Sequence, residues 1–301
     1  MNTLKIHFAI DKTRKAQQNR KKILKIYKNH SPKNSNVIVV LGGDGFMLQT
    51  LKKYQKYKKP FYGMNQGTFG FLMNKFKLEN INKNVSKARL TTISPLEVKI
   101  FTKKKSYIKE FAINEVSLFR QSKQTAYLNI KIGKKNIIKK LIADGVLVST
   151  PAGSTAYNLS VNGPILSLNS KKLAVTPISP FRPRRWRGKI LNSNVVIKIT
   201  NLNIKKRPVS AVIDNKEFRN IKTVLIKTNN VKKFKLLYDK HNSLTKKIKV
   251  EQIRNQILWN WEMNENFNWI GLNEKWIFTS RLNYSDPGSE FLSNSIIEKI
   301  L

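Results

Sequence analysis

An α/β domain built on a parallel sheet, followed by an all-β domain, is the architecture this sequence predicts. Residues 1–93 alternate strand-like and helix-like runs, residues 94–240 hold short β-rich runs separated by turn signals, and the composition changes near position 251. The expected division is therefore an α/β domain over 1–93, a β-sandwich over 94–240 and a distinct C-terminal segment over 241–301.

The elements follow in order. "LKIHFA" reads as a strand, and Asp11 to His30 as a weak helix with Ala16, Ile23, Leu24 and Tyr27 on one side. "NVIVVL" is a near-continuous apolar run, as in a strand buried on both faces of a parallel sheet. "FMLQTLKKYQKY" has helical spacing, and "PFYGMN" is the next strand. Beyond position 94, "PLEVKIFT", "KEFAINEVSLFR", "AYLNIKIG", "NIIKKLIADGVLVST", "NVVIKIT", "PVSAVID", "KTVLIKT" and "KFKLLYD" are all strand candidates. In the tail, Val250, Ile253, Ile257, Leu258 and Trp261 recur at helical spacing and predict a helix with that stripe buried. Residues past about 262 carry no chemistry and should be dispensable for catalysis, with a role in assembly left open.

The net charge of +41 invites a nucleic-acid reading. Lysine doublets are spread along the chain from 21–22 to 232–233 and arginine, the better bidentate phosphate ligand, is scarce, so the charge reads as a solvated basic surface without a dedicated nucleic-acid partner. "FRPRRWRG" (181–188) is the one place where arginines interleave with aromatics. A turn whose arginines pair across a subunit interface or steer anionic substrates is the favoured explanation of that cluster. No apolar run approaches the roughly 20 residues of a membrane helix. The absence of cysteine excludes disulfides and thiolate metal sites, and fits a cytoplasmic protein. His7, His30 and His241 are too few and too scattered for a histidine metal site or a triad.

Carboxylates are the scarce resource. Residues 1–250 hold ten of them against 54 basic residues, so Asp44, Glu115, Asp144 and Asp214 beside strand-like runs draw notice. Asp44 lies in "LGGDGF", directly after the buried run. Gly42 and Gly43 can take positive φ and let a ligand approach the backbone, and amides at the start of the next helix suit a phosphate. An aspartate there repels phosphate unless it holds a metal ion or accepts a proton from an attacking hydroxyl. A helix cap is the plain alternative. The Gly-Lys-Ser/Thr ending of a Walker loop is missing.

Three further segments carry polar groups where a sheet does not need them. "GMNQGTFGFLMN" (63–74) is a turn under the sheet or a second loop of the same cleft. "INEVSLFR" places Asn114 and Glu115 in the middle of a β segment, as exposed strand residues or as a pair reaching a ribose or base edge. "DGVLVSTPAGSTAYNLSVNGP" concentrates Ser149, Thr150, Ser154, Thr155, Tyr157, Asn158 and Ser160 in twelve residues, a polar density expensive to bury without a ligand.

In this order and at these distances the segments resemble the NAD kinase family, over roughly residues 3 to 250. "GGDG" at 42–45 is shared with phosphofructokinases and with lipid kinases, so a lipid or sugar kinase is the alternative. "NEVSLFR" at 114–120 joined to "DGVLVSTPAGSTAYNLSVNGPI" at 144–165 is much more specific, and "ISPFRPRRWRG" resembles a bacterial branch.

The resemblance implies phosphorylation of the adenosine ribose 2′-hydroxyl of NAD by ATP with Mg²⁺, giving NADP. It implies a Rossmann-like N-terminal domain, a β-sandwich domain, a C-terminal helix that returns to the first domain, and a dimer or tetramer. Carried over, Asp44 is the proton acceptor, Gly42 and Gly43 form the phosphate loop, and Gly45 shares its contact with the dinucleotide. Phe71 lines the pocket, and Asn114 and Glu115 bind adenine or ribose groups. Asp144 and the loop Thr155, Ala156, Tyr157, Asn158, Leu159 and Ser160 hold NAD, with Tyr157 stacking on it. Metal ligands are not assigned. Two positions depart from the family pattern: Ala143 where glycine is common, and Asp214-Asn215-Lys216 in place of an Asp-Gly-Gln turn.

Overall fold

The computed structural model describes residues 4–67, 70–102, 107–240, 247, 269–271 and 277–279. The chain divides into two units, Met1–Asn242 and Ser243–Leu301.

The first unit opens with β1 (Ile6–Ile10), α1 (Arg14–Ile26), β2 (Val37–Gly42), α2 (Asp44–Tyr54), β3 (Phe61–Asn65), α3 (Ile81–Lys87) and β4 (Arg89–Ile93). β1, β2 and β3 are parallel neighbours, with Ile10 opposite Leu41 and Gly42 opposite Asn65. All six residues of β2 are buried. Val37, Val39 and Leu41 pack with Ile23 of α1 and with Ile81 and Val85 of α3. Ile38 and Val40 face the other way, onto Met47 and Leu51 of α2. The two-residue alternation of a strand thus supplies a core on each side of the sheet. Helix α1 is shorter than the expected Asp11 to His30, since its buried face needs only Ala16 and Ile23 and the following residues are polar.

The second sheet is built from β5 (Leu96–Phe101), β6 (Tyr107–Ala112), β7 (Glu115–Arg120), β8 (Ala126–Ile132) and β9 (Lys135–Ser149). After the four-residue helix α4 (Tyr157–Ser160) come β10 (Lys172–Arg182), β11 (Lys189–Asn192), β12 (Ile197–Asn201), β13 (Val209–Ile213), β14 (Lys216–Phe218) and β15 (Thr223–Thr228). The order is β14-β13-β7-β9-β8-β12-β15-β5-β6, with β10 on β9 and β11 on β10. The expected sandwich takes the form of one antiparallel sheet curled over its own core, in which Leu96, Val98, Leu118, Val146 and Ile199 are buried. Its two ends meet, and Lys216 of β14 pairs with Glu110 of β6 at 3.0 Å.

Two strands differ from expectation. The run "KFKLLYD", assigned by its neighbours to the β-rich half, is β16 (Phe234–Tyr238), and it lies in the first sheet between β3 and β4. It runs parallel to β3 and antiparallel to β4. Its local pattern is that of any half-buried strand, so chain order misassigns it. β10 was not anticipated, because Pro177 and Pro180 remove amide donors and read as breakers. The strand accommodates them with an irregularity between Pro180 and Arg182.

The core facing α2 takes in Ile113 and Ala152 from the second sheet's loops together with Phe234 and Leu236 of β16. The two sheets therefore meet along α2. In the second unit, β17 (Trp269–Gly271) pairs antiparallel with β18 (Ile277–Thr279). The expected helix through Val250 to Trp261 lies outside the described residues. Among the described residues no helix is long and apolar enough to cross a membrane.

Candidate active site at the seam of the two sheets

Asp44 is the first residue of α2, directly after β2 and Gly43. Its side chain accepts from a loop 27 and 28 residues away: the Phe71 amide donates to Oδ2 at 2.7 Å and the Leu72 amide to Oδ1 at 3.0 Å. A Cβ on Gly70 would stand 3.0 Å from Oδ1, so any larger residue there would press on the carboxylate. Asp44 is thus a fixed carboxylate at the head of a helix, in a place where helix-dipole arguments favour negative charge. The Tyr238 hydroxyl at the end of β16 is close enough that burial first, and the Asp44 charge second, push it above its ordinary value.

The glycines act by proximity. None of Gly42, Gly43 and Gly45 has the expected positive φ, and Gly43 has φ −101°. A Cβ on Gly42 would meet the Phe46 ring at 2.7 Å, so Gly42 is required by packing. Gly43 and Gly45 face open space within 4 Å, which leaves the backbone beside Asp44 accessible to a ligand.

Asn114 and Glu115 stand at the bend between β6 and β7, and only Glu115 belongs to a strand. Their expected place in mid-strand is corrected by Asp214. This residue sits at the β13–β14 turn with φ 52° and takes the amides of Ile113 and Asn114 at 2.9 Å and of Glu115 at 3.4 Å. Three backbone donors that a straight strand would use in a ladder are taken by one carboxylate, and the chain turns a corner. Asn114 Oδ1 and Glu115 Oε2 are buried without a hydrogen-bond partner. Burial, and then the Asp214 charge, push the Glu115 carboxyl up to about 8. The Lys52 ammonium of α2 meets Asp214 at 2.7 Å. Sequence reading singled out neither the Lys52 contact nor the three-amide grip. The scarcity of carboxylates and the departure of Asp214-Asn215-Lys216 from the family's Asp-Gly-Gln turn were the signals that flagged Asp214.

The polar loop after β9 corrects a second expectation, that its groups are too expensive to bury unaided. The Thr150 amide donates to the Asn114 carbonyl at 2.9 Å, and Thr150 Oγ1 donates to the Ile113 carbonyl at 2.7 Å. Ser154 Oγ donates to the Pro151 carbonyl at 2.8 Å and accepts from the Leu166 amide at 3.0 Å. Asn158 is fully buried: its amide donates to the Ser154 and Pro164 carbonyls at 3.2 and 2.9 Å, and its oxygen accepts from Thr176 Oγ1 at 2.7 Å. These residues hold the loop on the Asn114 corner without help from a ligand.

The partly exposed members are different. Tyr157 stands with its ring centroid 5.7 Å from that of Phe119. Burial, then the Glu115 and Asp144 charges, raise its hydroxyl above the ordinary value, so the three groups share one neighbourhood. Asp144 pairs with Arg120 at 2.5 Å and is about a third exposed. Ala156 and Leu159 are half-buried, Ser160 is exposed and Thr155 is buried. Phe71 is half-buried beside Asp44. The structure brings together two groups, then: Asp44 with Gly43, Gly45 and Phe71, and Asn114–Glu115 with Tyr157 and Asp144. Helix α2 joins them through Lys52 and Asp214.

Two family models match the chain: the ATP-NAD kinase N-terminal domain over residues 1–88 and the ATP-NAD kinase C-terminal domain over residues 113–226. Among curated relatives, the NAD kinase of Brucella suis biovar 1 (strain 1330) is 43% identical over 252 residues, 84% of this chain and 98% of that protein. The NAD kinase of Rickettsia bellii (strain OSU 85-389) is also 43% identical, over 84% of this chain and 99% of that protein. Among solved structures, a yeast NADH kinase complexed with NADH matches with TM-score 0.71 at 21% identity, covering 89% of this chain and 90% of that one. An NAD kinase from Archaeoglobus fulgidus in complex with ATP matches with TM-score 0.64 at 21% identity, covering 81% and 98%. These two likenesses establish the fold.

Proposed function

The chain belongs to the NAD kinase family, and from that premise we propose that it transfers the γ-phosphoryl group of ATP to the adenosine ribose 2′-hydroxyl of NAD, with Asp44 as the proton acceptor. The observation that carries this reading is the Asp44 carboxylate, held by the Phe71 and Leu72 amides beside the open backbone of Gly43 and Gly45. Two amide donors fix the direction of the carboxylate before the substrate arrives, as general-base catalysis requires. Little covalent chemistry falls to the protein in phosphoryl transfer, so orientation of hydroxyl and phosphate does most of the work.

The dinucleotide binds along the seam. Asn114 and Glu115 face its ribose or base with their unpartnered oxygens. Tyr157, backed by Phe119, stacks on a base, and Asp144 borders the same pocket. Phe71 closes the side next to Asp44. Asn158 acts at one remove, as the bolt of the loop that carries Tyr157.

The family implies Mg²⁺. Among the described residues no three His, Cys, Asp or Glu side chains converge on one point. A hard cation of this kind keeps its waters and travels with the ATP phosphates. Assembly as a dimer or tetramer and a cytoplasmic location belong to the same proposal. The exposed apolar residues Phe181 and Ile190 on the β10–β11 hairpin support the first.

The decisive experiment follows NADP formation from ATP and NAD with a divalent metal through an NADP-specific dehydrogenase. Asp44→Asn keeps the size but leaves one of the Phe71 and Leu72 amides facing an NH2 group, so its melting temperature is measured alongside. Turnover should fall by at least about a hundredfold while much of the NAD affinity is retained. Near-normal turnover of that variant would remove Asp44 from the chemistry.

A further inference from the structure

Asp214 takes no part in the chemistry described so far, yet it is the hinge of the dinucleotide corner. Its side chain is 2% exposed, and it is gripped by the amides of Ile113, Asn114 and Glu115 and by Lys52. A buried ion pair is weak support for stability, because desolvation offsets the attraction. Its placement is more informative. Lys52 lies on α2 eight residues after Asp44, about 12 Å along the helix axis at 1.5 Å per residue. The helix that presents Asp44 at its head therefore holds the Asn114–Glu115 corner from its flank. Lys52 also lies with its ammonium 5.5 Å from the Phe111 ring, whose other cation is Lys232 at 4.0 Å.

We propose that Lys52 and Asp214 form a positioning pair, which fixes the Asn114–Glu115 corner relative to Asp44 and so sets the affinity for NAD. The inference rests on the reading that this corner binds NAD. Neither residue touches the reacting atoms. Asp214 bends the backbone through the three amides, and Lys52 offsets the negative charge that this device places beside Glu115. The charged and titratable groups facing Glu115 are Asp214 from the β13–β14 turn, with Lys52 of α2 behind it, and Tyr157 of α4, with the Asp144–Arg120 pair beyond.

Opposite charge changes at the pair must therefore act on Glu115 in opposite directions. Losing Lys52 leaves Asp214 uncompensated and makes Glu115 harder to ionise. Losing the Asp214 charge makes it easier. An ionised Glu115 accepts hydrogens from ribose hydroxyls, so KM for NAD falls as pH rises through the Glu115 midpoint.

The test is kcat and KM for NAD across pH 6–9 in the full chain and in Lys52→Met, Asp214→Asn and Lys52→Arg, with Glu115→Gln as control. Lys52→Met should raise KM for NAD roughly tenfold near neutral pH. Its kcat should change much less, and the pH midpoint of KM should move up. Asp214→Asn should move the midpoint down, and Lys52→Arg should restore the wild-type profile. A pair that served only stability would lower melting temperature and leave KM and midpoint in place, which overturns the proposal. Midpoints that move in the same direction for Lys52→Met and Asp214→Asn overturn it as well. If Lys52→Met does not fold, Lys52→Gln, which keeps a donor for the carboxylate, carries the same comparison. Glu115→Gln separates the failures: an unchanged KM in that variant refutes NAD binding at the corner, whereas a raised KM beside an unchanged Lys52→Met refutes the pair alone.

Discussion

Glu115 should make the unliganded protein less stable as pH rises, and the effect is large enough to measure. Its carboxyl stands at about 8 in the folded chain against 4.5 for the ordinary group, through burial first and the Asp214 charge second. Below 4.5 the group is protonated in both folded and unfolded chains and contributes no difference. Between 4.5 and about 8 the unfolded chain releases the proton and the folded chain keeps it. Stability then falls by about 1.4 kcal/mol per pH unit, on the order of 4–5 kcal/mol over the window. Above about 8 both states are ionised and the loss levels off. Replacement by glutamine removes the titration and keeps the shape. Melting temperatures of wild type and Glu115→Gln, measured in parallel from pH 5 to 9 without ligands, should diverge as pH rises, with the variant the more stable above pH 8. At roughly 2–4 °C per kcal/mol for a domain of this size, the divergence should approach 10 °C. Parallel curves would show that Glu115 ionises as an ordinary carboxylate, and the account of its unpartnered oxygen would fail with it.

Other outcomes follow from neighbouring residues. Tyr157→Ala removes a half-exposed ring with one aromatic neighbour, so KM for NAD should rise by the equivalent of about 1–3 kcal/mol while the melting temperature barely moves. A large loss of stability with unchanged KM would make it a core residue. Asn158→Ala is the converse case. It leaves the buried Ser154 and Pro164 carbonyls and the Thr176 hydroxyl without their partner, so chemical denaturation should show a loss of about 2–4 kcal/mol. A fully stable Asn158→Ala would mean that the loop is held elsewhere.

How much of this could be read beforehand depends on the range of the interaction. Local signals sufficed for β2 and α2, because continuous apolar residues followed by Gly-Gly-Asp-Gly and helical spacing already specify a buried strand, a tight turn and a helix. The same signals located Asp44, Glu115 and Tyr157 as residues in unusual settings. They could not say that the Asp44 carboxylate is held by Phe71 and Leu72, that Asp214 grips a corner 99 to 101 residues away, or that Lys52 completes the grip. Nor could they place β16 between β3 and β4, since a strand's periodicity records which face is buried and not which neighbour it pairs with. For the loop after β9, the count of polar side chains does not say which of them the protein itself satisfies. Ser154 and Asn158 find their partners in Leu166, Pro164 and Thr176, and whether a buried polar group is satisfied depends on what the folded chain brings within hydrogen-bond reach.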